Sequence, residues 1–517
     1  MAHETSALKG KKRNYAAGIL IAVWAAGSAF LAGQSRYPGE RDNSPMTLAV
    51  ADRLRAVAAA GVAGGKNPAL LIKVGDSITA NGSFLSQFKC PDHDPAVHYG
   101  WEWTRDLGGF PELGDAADHF CQLTFPAWDS NIPDAHVGGV GFPTTCLDRV
   151  SLAVQVGQSA EWAVTGSPSP LQQEIETVHP LFAVIMFGAN DIGGYGDDLA
   201  VLGRTVENQL AIVDACLAGG IIPILSATCP NYTNAQNIDR SRTLSHLVRA
   251  LAQGRQIPFV NCHRALMSLP NHGLGGDDLH PNALGYNRGC HLTAEGLLYG
   301  HNRRNLATLT ALDQGFRTII QGVPALDPEP PALAGSGTSQ DPFVIDAIPF
   351  SDFGQTTAEF PSRWYRLELL LPLDFQGLVT DQGATDVNLR LLDHSLSQIE
   401  THDGLIERLL EPGTYYLEIQ TSSGYPGEYQ MVVLDRTDAG YPKDMNLDGI
   451  HDGADRQVLA TYLAGNTAGL PCGSLCGDLD GDGLDAADLV ALGKIFVAPA
   501  APPRAASAAA IPSPASR

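Results

Sequence analysis

The chain has 517 residues, 44% of them hydrophobic and 17% charged, which is more than one hydrophobic core holds and points to about three folded domains. Its 56 Asp and Glu against 33 Lys and Arg give a formal net charge of −23, which opposes binding to a phosphate backbone and sets DNA and RNA aside as partners. Nine cysteines fit a compartment in which thiols pair.

Residues 1–36 read as an export segment. Lys9, Lys11, Lys12 and Arg13 precede an apolar run from Tyr15 to about Gly33, closed by polar Gln34, Ser35 and Arg36. The run suits either a cleaved signal peptide or a retained membrane anchor, so the expected location is secreted or cell-surface. Residues 37–66 are expected to be a linker.

Between 67 and 305, short runs rich in Val, Ile and Leu alternate with helical patterns. The predicted strands are 69–74, 150–156, 181–187, 221–227 and 257–260; runs without polar alternation belong to strands buried on both faces, hence to a parallel sheet. Helical spacing over 199–217 and 243–253 ends near Gly219 and Gly254. The pattern predicts a three-layer, flavodoxin-like α/β sandwich with a five-stranded parallel sheet. An insertion at 81–148 carries Trp101, Trp103, Trp128, Tyr99, Phe110 and Phe120 and three of the cysteines. It reads equally as a substrate wall beside the site or as a decorated surface loop. Cys216 and Cys262 sit in apolar patterns that buried free thiols also satisfy, whereas Cys472 and Cys476 are close enough in sequence to pair locally.

Residues 306–336, rich in Pro, Ala and Gly towards their end, are expected to be a linker. Over 337–436 the runs Trp364 to Leu369, Val387 to Leu392, Tyr415 to Ile419 and Tyr429 to Val433, divided by Gly, Pro and Asp turns, predict a β-sandwich. Leu410-Glu411-Pro412-Gly413-Thr414-Tyr415-Tyr416 and the strands around it resemble the bacterial pre-peptidase C-terminal domain.

Two acidic loops follow within 441–497. Asp444, Asn446, Asp448, Gly449, Asp452 and Asp455 occupy positions 1, 3, 5, 6, 9 and 12 of a twelve-residue loop, a spacing that lets side-chain oxygens converge on a hard cation while glycine makes the sharp turn. Asp478, Asp480, Asp482, Gly483, Asp485 and Asp488 repeat it one residue short. Asp- and Gly-rich turns without metal have the same composition. Each loop precedes an apolar helical pattern, and the pair looks like a dockerin module, with Asp closing the loop where an EF-hand has Glu. The expected cofactor is therefore Ca2+ in a structural role, with none for catalysis, and the resemblance implies a cohesin-like protein partner. The Ala-, Pro- and Ser-rich tail 498–517 is expected to be disordered.

The candidate chemistry lies at the strand ends. Strand 69–74 runs into Gly75-Asp76-Ser77, strand 150–156 into Gly157, and strand 181–187 into Gly188-Ala189-Asn190-Asp191; Asp277-Asp278-Leu279-His280-Pro281-Asn282 comes later. Strand carboxyl ends are where α/β folds place ligands. A three-residue separation lets Asp277 and His280 meet in one turn, as a base and the carboxylate that orients it; Asp278 competes with Asp277. Taken singly, each motif is also a turn or a helix cap.

In that order the four blocks resemble the GDSL or SGNH hydrolases. The resemblance implies Ser77 as nucleophile, Asp277 and His280 as its partners, and an oxyanion hole from Ser77 N–H, Gly157 N–H and the Asn190 side chain, with Asp191 bracing its loop. Gly139 and Gly141 compete with Gly157. It further implies an ester substrate. Together with the dockerin-like loops it implies an acylated polysaccharide and an exported carbohydrate esterase or deacetylase, with a lipase, phospholipase or general carboxylesterase, or a binding scaffold that has lost activity, as alternatives.

Overall fold

The computed structural model describes residues 35–39, 41–88, 105–125, 144–149, 151–194, 196–285, 288–325, 327–370, 372–381, 387–421 and 427–436. Four of the predicted runs form a parallel sheet: β1 (Asn67–Gly75), β2 (Pro180–Met186), β3 (Ile222–Ser226) and β4 (Phe259–Val260), hydrogen-bonded in that order. Val74 lies opposite Ile185, Phe182 opposite Ile222 and Leu225 opposite Phe259. Every residue of β2 is buried, which requires cover on both faces of the sheet.

The expected fifth strand, 150–156, is a correction. It meets the sheet at a single parallel bridge, Val154 to Gly75, with Gly75 N–H donating to Ala153 O (3.0 Å) and Gln155 N–H to Gly75 O (3.1 Å). The neighbouring N–H groups are taken locally: Leu152 N donates to Glu174 Oε2 (2.9 Å), Ala153 N to Ser151 Oγ (3.1 Å) and Val154 N to Ser151 O (3.3 Å). With these three successive donors used locally, the Gln155 N–H makes the bridge but no ladder extends from it. Val156 is 63% exposed, so apolar composition alone misread it.

Both expected linkers also contain core helix. Within 37–66, helix α1 (Leu48–Ala63), capped by the Thr47 side chain, buries Val50, Ala51, Leu54 and Val57. Its Ala-rich face gives a faint amphipathic signal. The second linker begins inside a helix, Gly300–Gly315, whose buried face starts with His301, Asn302, Arg304 and Asn305 before turning apolar at Leu309 and Leu312. A buried polar face does not register as helical periodicity. Further on, Asp327 and Glu329 accept hydrogen bonds from Met46 N (2.8 Å) and Ala49 N (3.0 Å) at the start of α1. Ser35 and Arg36, placed in the export segment by their polarity, belong to the fold: Ser35 N donates to Gln256 Oε1 (2.9 Å) and Arg36 pairs with Asp346 (3.2 Å).

The described parts of the insertion 81–148 contribute to the core. Phe84, Leu85, Phe88, Leu113, Ala117 and Phe120 join the main apolar cluster. Trp101, Trp103, Trp128 and Tyr99 lie outside the described residues, as do the expected export segment up to Gln34, both acidic loops with all their proposed calcium ligands, and the tail. Among the described residues no helix is long and apolar enough to cross a membrane, and no three His, Cys, Asp or Glu cluster as a metal site. Cys121 is disulfide-bonded, whereas Cys146, Cys216, Cys229 and Cys262 carry thiols.

Residues 343–435 form two packed sheets, antiparallel apart from the parallel pairing of Phe343–Ile345 with Ser362–Leu369. One contains Phe350–Thr356, Leu373–Asp381, Leu405–Leu410 and Gly427–Asp435. The other contains Phe343–Ile345, Ser362–Leu369, Val387–Leu392, Gln398–His402 and Gly413–Thr421. Leu367, Phe375, Leu389, Leu417 and Met431 fill the space between them. The first sheet lies on the helix Ala235–Arg255, and its Leu378 and Val432 join the hydrophobic core around the parallel sheet. Polar contacts complete the seam: Arg249 Nε to Ser351 Oγ (2.7 Å), Gln253 Nε2 to Asp352 Oδ1 (3.1 Å) and Arg255 to Glu428 (2.9 Å). Asp352 in turn accepts from Tyr365 OH (2.9 Å), which meets Tyr429 OH (2.8 Å). Burial pushes the Asp352 carboxyl above its usual range, against those hydrogen bonds.

At Gly254 a side chain would overlap the Phe353 ring. Gly254→Val is therefore expected to lower the unfolding free energy by about 1–3 kcal/mol, read from the urea midpoint. An unchanged midpoint would mean the seam yields without cost.

Candidate active site

β1 ends at Gly75, where a Cβ would overlap the Thr79 side chain and the Met186 carbonyl; glycine is needed there for strand and turn to approach. The chain then enters the one-turn helix Ser77–Ala80, with the Asp76 side chain accepting from Ile78 N (3.0 Å). A clamp that sequence reasoning missed holds this turn. Arg304 donates to Ile78 O (2.8 Å) and Thr79 Oγ1 (3.1 Å), and its guanidinium lies 3.5 Å from the centre of the Phe84 ring. Nothing in the local sequence distinguishes Arg304 from any other helical arginine.

The opposite partner comes from a tight loop. Gly275 N donates to His280 O (2.7 Å), Asn282 N to Gly273 O (2.8 Å), and Asn282 Oδ1 accepts from Gly300 N (2.8 Å). This places His280 Nε2 2.8 Å from Ser77 Oγ, and His280 Nδ1 2.6 Å from Asp277 Oδ2. Asp277 Oδ1 accepts from the N–H groups of Leu279 (3.2 Å) and His280 (3.0 Å). Partial burial raises the Asp277 carboxyl, but hydrogen bonds from the His280 side chain and from these two N–H groups outweigh it and hold the group below its usual range. Asp278 adopts φ +57° and turns its carbonyl to Tyr232 N (2.9 Å), so the choice between the two acids falls to Asp277.

Hydrogen bonds between loops tie together the segments that carry the oxyanion candidates. Asn190 Nδ2 donates to Gln158 O (2.9 Å), tying the end of β2 to the loop of Gly157, which itself runs beside Gly75. Gly157 has φ +77° and open space where a side chain would stand. Asp191 braces both segments, with Oδ1 accepting from Ala160 N (2.9 Å) and Oδ2 from Gly188 N (3.1 Å); burial pushes its carboxyl up to about 6. Gly139 and Gly141 lie outside the described residues. The constellation can transfer a proton between a serine hydroxyl and an imidazole and present N–H donors beside it, the requirements of acyl transfer.

Residues 128–288 match the GDSL-like Lipase/Acylhydrolase family. The stretch holds Gly157, Asn190, Asp277 and His280 and starts after Ser77, which the insertion separates from the rest; the chain thus carries a GDSL-like acylhydrolase domain. No curated protein matches the chain. Among solved structures it is similar to a GDSL-like lipase from Bacteroides thetaiotaomicron (16% identity, 51% of this chain and 98% of that one, TM-score 0.26). It is also similar to a catalytic mutant of an acetylxylan esterase from Geobacillus stearothermophilus (14%, 47% and 93%, TM-score 0.28). A third likeness is to the pre-peptidase C-terminal domain of a collagenase from Bacillus anthracis (14%, 17% and 91%, TM-score 0.16).

Asp76, beside the nucleophile, is wholly buried, and its Oδ2 has no hydrogen-bond partner among the described residues. Burial pushes its carboxyl up to about 7, against the bond from Ile78 N–H and with Asp191 adding to the rise. A carboxyl raised by folding contributes stability that is complete below its unfolded value of about 4 and is lost as pH climbs through the folded one. Asp76→Asn cannot ionise, so its stability relative to the parent is expected to improve steadily from pH 4 to 7, read by urea midpoints across that range. A constant difference would mean that Asp76 ionises normally in the fold.

Proposed function

We propose that this protein is a serine esterase that cleaves carboxylic esters through an acyl-enzyme on Ser77. The observation that carries the reading is the relay of Ser77 Oγ to His280 Nε2 at 2.8 Å and His280 Nδ1 to Asp277 at 2.6 Å. His280 takes the Ser77 proton as the oxygen attacks the ester carbonyl, while Asp277 fixes the imidazole tautomer and stabilises its positive charge. Ser77 N–H, Gly157 N–H and the Asn190 amide, steadied by Gln158 O, stabilise the oxyanion. His280 then protonates the departing alcohol and, in the second half-reaction, activates the water that releases the acid.

The narrower reading is an exported carbohydrate esterase or deacetylase acting on an acylated polysaccharide. It rests on the modules joined to the hydrolase: an export-like segment at 1–36 and two acidic loops that look like a dockerin. All-oxygen ligand sets at Asp444, Asn446, Asp448, Asp452 and Asp455, and at Asp478, Asp480, Asp482 and Asp488, suit Ca2+, which would order a docking surface for a cohesin-like partner. None of the side-chain steps above uses that ion.

Ser77→Ala is expected to cut hydrolysis of p-nitrophenyl acetate at least about 1,000-fold. Release of acetate from acetylated xylan or pectin, with weak activity on long-chain esters, is the expected profile. Preference for long acyl chains would point to a lipase instead, and an inert parent protein to a binding scaffold. Chelating calcium is expected to leave ester hydrolysis unchanged; a parallel loss of activity would contradict the division of roles.

A further inference from the structure

The relay leaves one pair of thiols unused. Cys229 follows β3 by three residues and Cys262 opens the helix Cys262–Met267 just after β4, so both leave adjacent parallel strands at the carboxyl end that also carries Ser77. Their sulfurs stand 3.0 Å apart. Both thiols are buried in a small apolar cluster with Ile78, Met186, Ala189 and Leu266, against which Leu279 packs. Ile78 and Leu279 are the chain neighbours of Ser77 and His280, so this cluster is the floor under the two reacting side chains.

A disulfide has its sulfurs at about 2.05 Å, so closing the pair needs about 1 Å of approach. The hydrogen bond of each thiol is to the other, the charge of Arg304 is felt by both, and no third ligand makes the pair a metal site among the described residues. The fold also contains an oxidised cysteine, Cys121, as expected of a chain that matures where thiols pair.

We propose that Cys229 and Cys262 form a disulfide that fastens the ends of β3 and β4 together beneath the Ser77 and His280 pocket. The bond forms while the cluster is still open. A thiolate of one cysteine attacks an external disulfide, such as oxidised glutathione, and expels one of its halves as thiolate. The second cysteine then attacks the mixed disulfide and expels the other half. Two protein thiols are oxidised, one external disulfide is reduced to two thiols, and the two protein protons pass to solvent or to those thiolates. Once closed, the bond is shielded from reductants by the same apolar packing.

The test maps disulfides in the full chain folded in an oxidised and reduced glutathione mixture. The protein is unfolded in guanidinium with N-ethylmaleimide and no reductant, then digested. The expected result is a linked peptide pair joining Cys229 and Cys262, 2 Da lighter than the sum of its parts. Alkylation of both residues while Cys121 remains paired would overturn the proposal. A second reading comes from melting. Cys229→Ala alone and the Cys229→Ala, Cys262→Ala double variant are expected to lose the same amount, about 5 °C, because either change removes the single bond. Losses that add between the two sites would instead mark two independent packed thiols. Peptide mapping reads the bond whether or not Ser77 is catalytic, so failure here is separate from failure of the esterase reading.

Discussion

Ser77 and His280 lie 203 residues apart in the chain and meet across 2.8 Å. The contact depends on the parallel pairing of β1 with β2, which holds Gly75 opposite Met186 and brings two strand ends to the same edge. From that edge one turn carries the hydroxyl and the next loop carries Asn190. The histidine arrives from a different direction, on a loop held by Asn282 against Gly300 at the start of the last core helix. The same helix sends Arg304 under the serine turn, so both reacting side chains are referenced to one rigid rod. Placing donors and acceptor on elements that do not move relative to each other is what makes a hydrogen bond at this distance useful for proton transfer.

The region under the site is polar where it supports loops and apolar where it supports strands. Asp76, wholly buried, and Asp191, partly buried, are carboxyl groups with raised pKa values, about 7 and about 6; Asp76 accepts from Ile78 N–H and Asp191 from Ala160 N–H and Gly188 N–H. Buried acids of this kind cost stability, and they persist where loop geometry has no cheaper support. Farther from the chemistry, the β-sandwich lies against the helix Ala235–Arg255 and shares apolar core with the parallel sheet through Leu378 and Val432. It is therefore part of the hydrolase's framework as well as the element that leads towards the acidic loops.

The residues of the relay were legible because each lies in a short motif at a strand end, where backbone direction alone decides where a side chain points. Asp277 and His280 were readable from a three-residue spacing, and the structure resolves the ambiguity with Asp278 through a left-handed turn. Helix α1 was hidden by small side chains and the helix Gly300–Gly315 by a buried face of His, Asn and Arg, since hydrophobic periodicity reports apolar burial alone. The segment 150–156 erred the other way: its valines look like a strand, but Ser151 and Glu174 take the donors a strand needs. Arg304 and the Gln158 carbonyl were invisible because their roles exist only after distant segments meet. The sequence of the aromatic insertion suits a wall or a decoration, yet Phe84, Phe88 and Phe120 are core, and Phe84 is the surface on which Arg304 rests.

Covalent labelling with a fluorophosphonate tests the central claim most directly, because that reagent reacts with a serine whose proton is taken by a neighbouring imidazole and whose adduct sits in an oxyanion hole. The account predicts one adduct per chain, mapped to Ser77, and loss of labelling in His280→Ala. Hydrolytic activity accompanied by an adduct on a different serine, or labelling of Ser77 that persists without His280, would contradict it.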